Sequence, residues 1–214
     1  GQSAGKSTGG NLVGTLKKAL VAAGIGTAIK ESIEEGAALE QSIGGIETLF
    51  KDSADTMKQD ASKAYKTAGM SANEYMETAT GFAASLLQGL GGDTAKAADI
   101  ANMSITDMSD NANKMGTDME SIKNAYAGFS KQNYTMLDNL KLGYGGTKSE
   151  MERLLADAQK LSGVEYNIDN LSDVYSAIHV IQEDLDITGT TAKEAASTLS
   201  GSLSSMKAAF TNVL

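Results

Sequence analysis

Residues 69–86 read GMSANEYMETATGFAASL, and this stretch decides the fold class. Gly69 supplies a residue that takes the left-handed conformation on which helices end. Two residues later, Ser71-Ala-Asn-Glu74 matches the S/T-x-x-E capping box, in which a hydroxyl accepts from an orphan N–H of a new helix. Tyr75, Ala79, Phe82 and Leu86 then recur at i, i+4, i+7 and i+11, the spacing of one helical face. Stop, start and apolar stripe thus follow one another within eighteen residues.

The same signal recurs outward along the chain. Thr117-Asp-Met-Glu120, Thr147-Lys-Ser-Glu150 and Thr191-Ala-Lys-Glu194 are further matches to the box, preceded by Gly116, Gly146 and Gly189. Helical stripes accompany them: Met119, Ile122, Tyr126 and Phe129; Met151, Leu154, Leu155, Ala158 and Leu161; Leu199, Leu203, Met206, Phe210 and Val213. Two more stripes lie elsewhere, Leu39, Ile43, Ile46 and Phe50 upstream, and Leu171, Val174, Ile178, Ile181 and Leu185 downstream. Helices of this length are marginal alone in water, so each stripe needs a partner surface. GDTAKAA at Gly92–Ala98 and GTTAKEAA at Gly189–Ala196 are read as one helix-start solution used twice.

Three regions break the pattern. Gly1–Gly10 is read as a flexible Gly/Ser-rich segment or a truncation edge. Gln132–Gly146 is a long connection whose Tyr134, Met136, Leu137, Leu140, Leu142 and Tyr144 are expected to tuck onto the core. Ser162–Asn170 alternates at Val164, Tyr166 and Ile168 and is expected to hold at most one short extended piece.

Composition agrees with an all-α, multi-helix domain of short capped helices. The 214 residues include no Pro, which breaks helix interiors, and only 5% are aromatic. Ala, Met, Leu and Ile must fill the core, which favours close helix packing over a sheet sandwich. The expected organisation is the flexible segment 1–10, a long N-terminal helical region 11–54 that docks or leads away, and a helical domain 55–214. The last stripe reaches Leu214 without a stop signal, as expected for a fragment of a longer chain.

Charge and motif content narrow the function classes. The net charge is −9, and an acidic surface opposes binding to phosphates, so no sequence-specific nucleic-acid partner is expected. With no Cys there is no disulfide, thiol nucleophile or Cys-based metal site. Ala19–Ile29 (ALVAAGIGTAI) is apolar but about half the length that crosses a bilayer. It is read as a helix contact, with Gly10 and Gly14 in a GxxxG just before it; a membrane-active stretch is the alternative.

Candidate chemistry is sparse. GQSAGKST has three residues between Gly1 and Gly5 where a phosphate-binding loop needs four. His179 is the sole histidine and is read as a structural neighbour of an apolar helix face. Glu34, Glu35, Glu183, Asp184 and Asp186, together with the i, i+3 pair Asp107 and Asp110, are read as solvated helix faces rather than a carboxylate pair across a sugar cleft. No catalytic, cofactor-binding or metal-binding residue is assigned. Met70, Met76, Met103, Met108, Met115, Met119, Met136, Met151 and Met206 are read as adaptable core filler, with an adaptable partner surface as the alternative.

Long runs within Gly69–Leu161, such as YTMLDNLKLGYGGTKSEMERLLADA (Tyr134–Ala158), carry a resemblance that extends from about Ile29 to Leu214. The chain resembles a segment of the tail tape measure proteins of phages and prophages of Gram-positive bacteria. The resemblance implies a non-enzymatic virion structural protein that scaffolds tail-tube assembly, sets tail length, occupies the tail lumen and leaves it during genome ejection. It implies as partners other copies of itself, the tail tube protein, tail assembly chaperones, distal tail proteins and the host membrane. The density of caps and glycines departs from a plain extended rod and points to a folded domain within such a protein. A membrane-active helical protein acting on the host envelope is the second functional reading.

Overall fold

The computed structural model describes residues 36–194 and 196–197. The Gly/Ser-rich start, the Ala19–Ile29 run, Glu34, Glu35 and the stripe from Leu199 to Val213 lie outside them. The described residues are all helical in their regular structure, with seven α-helices and no strand. None of these helices is long and apolar enough to cross a membrane.

In chain order they are α1 (Gly36–Phe50), α2 (Ala54–Thr67), α3 (Ala72–Gly89), α4 (Thr94–Met115), α5 (Met119–Ser130), α6 (Lys148–Ser162) and α7 (Leu171–Asp184). A 3-10 turn, Lys51–Ser53, links α1 to α2, and a second, Leu137–Leu140, lies between α5 and α6. Residues 190–194 begin a further helical turn. The chain forms two compact units whose boundary falls within α2 and α4.

In the unit formed by residues 36–64 and 71–102, α1 packs on α3. Ile43, Ile46 and Phe50 of α1 are buried, as are Tyr75, Met76, Ala79, Phe82 and Leu86 of α3. Small residues permit the approach: a Cβ on Gly45 would sit 3.2 Å from the Thr80 methyl. Polar ties accompany the packing. Ser42 Oγ donates to Asn73 Oδ1 at 2.5 Å, and Tyr75 OH donates to Asn102 Oδ1 at 2.7 Å. Lys58, a buried cation, donates to Glu47 at 2.6 Å, the pairing that a desolvated ammonium requires.

In the other unit, residues 65–70 and from 103 onward, α6 packs on α7, and α5 on α7 and on the second 3-10 turn. Tyr126, Phe129 and Tyr175 make an aromatic centre, with Tyr126 5.1 Å from Tyr175 and 5.7 Å from Phe129 between ring centroids. Tyr134, Leu137, Leu140, Leu142 and Tyr144 are all buried, so the Gln132–Gly146 connection does tuck onto the core.

Two of the four predicted caps form as expected. Ser71 Oγ accepts from Glu74 N–H at 3.1 Å, and Thr147 Oγ1 from Glu150 N–H at 3.2 Å. Two are corrected. Asp118, not Thr117, caps α5 through Ser121 N–H at 3.2 Å, and Thr117 Oγ1 instead donates to Asn111 Oδ1 at 2.8 Å. Thr191 already lies inside the last helical turn, and its hydroxyl donates to Ser109 Oγ at 3.2 Å. The likeness of GDTAKAA and GTTAKEAA ends there, because Asp93 caps the first through Lys96 N–H at 3.1 Å. Gly69, Gly116 and Gly189 do take positive φ (60°, 65° and 87°). Gly146 serves otherwise: a Cβ there would collide with the Thr135 carbonyl oxygen.

The stripes overreach at helix ends. Leu161 and Leu185, the last apolar residues of theirs, are 51% and 45% exposed. Residues 163–170 form no strand, and Val164 is exposed. Of the methionines, Met70, Met76, Met108 and Met151 are buried as filler, while Met103, Met115, Met119 and Met136 are partly exposed; Met206 lies outside the described residues.

Candidate functional site

The middle of α4 carries its polar residues at helical spacing: Asp107, Asp110 and Asn111, on one side of the helix. On α7, His179, Gln182 and Glu183 do the same. These two polar stripes meet.

His179 bridges two carboxylates. Its Nδ1–H donates to both Asp107 oxygens at 2.9 Å, and its Nε2 lies 3.1 Å from Glu183 Oε1. Two carboxylates can each accept only if both ring nitrogens carry hydrogen, so the geometry suits the imidazolium. Accordingly the hydrogen bond to Asp107 holds the His179 pKa above its ordinary range, against the lowering effect of burial. Asp107 is pushed up to about 6, because burial disfavours its charge more than His179 restores it. The pair titrates as a unit, with both partners holding protons to higher pH than they would in water.

One turn away, Asp110 is fully buried and accepts from two backbone groups, Gly189 N–H and Thr191 N–H, each at 2.9 Å. It pins the segment after α7 to α4. Asn111 Nδ2 donates to Leu140 O and to Gln182 Oε1, both at 2.9 Å, while Gln182 Nε2 donates to Asp107 O at 3.1 Å. Asn113 Nδ2 donates to Thr191 Oγ1 at 2.8 Å, and Ser109 Oγ to Ala68 O at 2.5 Å. Buried polar groups need such partners. The Tyr126 hydroxyl, also buried, has none among the described residues.

The reading of Asp107 and Asp110 as solvated is therefore corrected: both are buried, at 1% and 0% exposure. Glu183, Asp184 and Asp186 are exposed as expected. His179 is a structural neighbour of the core and also the bridge of an ionic clamp. Asn111 and Gln182 escaped notice in the sequence, although a run of Asp, Asn and Ser between Ile105 and Met108 on one side and Ala112 on the other marks a helix that must bury polarity.

Chemically, the cluster holds a proton and ties α4, α7 and the 187–191 segment together. Nε2 of His179 faces a carboxylate, where nucleophilic catalysis would place a hydroxyl or thiol. Among the described residues no group of three His, Asp or Glu converges as a metal site.

No protein-family model, curated protein or solved structure matches this chain.

Proposed function

We propose that this chain is a segment of a phage tail tape measure protein, acting in the tail lumen as a folded helical module of the assembly scaffold. The reading rests on the resemblance carried by residues 29–214, above all by the run Tyr134–Ala158. That run folds as a connection with buried apolar residues that leads into a capped helix. The acidic balance suits a lumen through which DNA later passes.

Packing of α1 on α3 and of α6 on α7 bears on how such a module would count length. A straight helix rises 1.5 Å per residue, so 214 residues would span about 320 Å. Helices that double back contribute far less. In-frame deletion of this segment from the parent gene should shorten tails, measured by electron microscopy, by much less than about 320 Å. Shortening near that value would overturn the folded-module reading. Mass spectrometry of purified tails tests the family reading separately: peptides of this chain should be found in them, and their absence from intact tails would refute it.

A further inference from the structure

α4 buries two carboxylates one turn apart, and each is compensated in its own way. Asp107 meets the His179 ring at 2.9 Å, and Asp110 accepts from Gly189 N–H and Thr191 N–H. Of the charges that act on Asp107, His179 is the positive one, while Asp110 and Glu183 are negative. Tyr126 of α5 and Tyr175 of α7 are also titratable here, but burial raises both phenols, so they add no charge near neutral pH. Asp186, Lys193 and Glu194, in the segment after α7, are exposed. His179 links the pair to solvent. Its side chain is 25% exposed, and its Nε2 lies 3.1 Å from Glu183, which is 57% exposed. The proton on the bridge can exchange with water although the two carboxylates on α4 are buried.

Residues 185–194 are tied to α4 through Ser109, Asp110 and Asn113, which hold Gly189 and Thr191. Within that segment only Ile187 and Thr191 are buried. By contrast, α7 buries Val174, Tyr175, Ala177, Ile178 and Ile181, and Tyr175 OH donates to Tyr126 O at 2.8 Å. Asp186 and Gly189 both hold left-handed backbone, at φ 56° and 87°. That conformation is costly for a residue with a side chain and free for Gly, so one position favours release and the other turns readily.

We propose that the Asp107–His179–Glu183 bridge is a proton-controlled latch: when His179 loses its proton, residues 185–194 release from α4 while α4, α5 and α7 stay packed. Without the imidazolium, Asp107 and Asp110 are two buried anions one turn apart, with Glu183 as a third negative group beside them. Desolvation makes that arrangement costly. Lifting the segment lets water reach Asp110, and water also replaces its oxygens at the freed Gly189 and Thr191 amides. Separating α7 from α4 instead would expose an apolar face. Acid does not open the latch, because a proton on Asp107 removes one of the two anions. Release belongs above pH 6.5, since the hydrogen bond to Asp107 raises the His179 pKa from that value. It uncovers Ile187 beside Leu185, which is already exposed.

The full chain carries one histidine, so its imidazole gives a single NMR titration curve. Hydrogen exchange of individual amides, corrected for the intrinsic rate at each pH, reports the latch. Protection at Gly189 and Thr191 should fall by about tenfold or more between pH 6 and pH 9, with the midpoint of the His179 curve. Amides of residues 174–181 should stay about a hundredfold better protected than those two throughout. His179→Gln, neutral but still able to donate to Asp107, should bring the pH 6 protection of the two amides down to the pH 9 level. Adding Asp107→Asn should restore it and remove the pH dependence. Protection at Gly189 and Thr191 that does not change with pH would overturn the proposal. So would amides of residues 174–181 converging on the same protection, which would mean that α7 itself opens, or a folded double variant that restores nothing. Circular dichroism checks the helices of the variants, and the unmodified chain decides the question if either fails to fold.

Discussion

Replacing Asp110 by Ala tests the clamp most directly. The carboxylate is fully buried and accepts from Gly189 N–H and Thr191 N–H at 2.9 Å each. Hydrogen bonds to a charged acceptor contribute about 1.5–3 kcal/mol each, and a buried donor left without a partner costs its full desolvation. Removing the carboxylate also relieves the burden of burying that charge, which offsets part of the loss. The net expectation is a destabilisation of about 3 kcal/mol. Asp110→Asn should fall near half of that, because its amide oxygen serves one N–H while its NH₂ faces the other. Asp184→Ala, at an exposed position, is the control and should change little. The chain forms two compact units, so a single unfolding midpoint can blend two transitions. Native-state hydrogen exchange at residues 187–194 and along α4 and α7 is therefore the assay, with urea melts alongside. The Gly189 and Thr191 amides should lose protection first and most. A loss below about 1 kcal/mol in Asp110→Ala, or unchanged protection at those two amides, would refute the clamp.

The Asp107–His179 pair sets a pH dependence of defined sign. Asp107 is raised from 3.8 to about 6 and His179 is raised above 6.5, so each contributes stability at low pH that is lost as pH rises through its folded value. Urea titrations should show stability falling as pH rises from about 4 through about 6, and further above 6.5, by on the order of 2–3 kcal/mol from this pair, and Asp107→Asn should flatten that limb. On the acid side, Glu150 is held down to about 2, chiefly by its hydrogen bond from Arg153. Its contribution is present above pH 4.5 and lost toward pH 2, so Arg153→Met should lessen the acid loss in the same titrations. Two glycines should respond oppositely to alanine. Gly81 lies within α3 with open space at its Cβ position, and Gly81→Ala should stabilise by up to about 1 kcal/mol. Gly146→Ala drives a methyl into the Thr135 carbonyl and should cost about 2–3 kcal/mol; equal melting temperatures for the two variants would contradict both arguments.

The local part of the fold is legible in the order of the residues. Helix class, the glycine stops at 69, 116 and 189, the caps at Ser71 and Thr147, and the buried stripes of α1, α3, α5, α6 and α7 depend on residues within a few positions of one another. Such short-range physics is written in spacing. It failed at element ends, where Leu161 and Leu185 continue a stripe past the surface that covers it. Which polar residues are buried depends on contacts between distant parts of the chain. Asp107 reaches His179 across 72 positions, and Asp110 reaches Gly189 across 79. A carboxylate one turn from another reads as a solvated face until a partner that distant in the chain removes its water, because burial belongs to the assembled packing and not to any local run of residues.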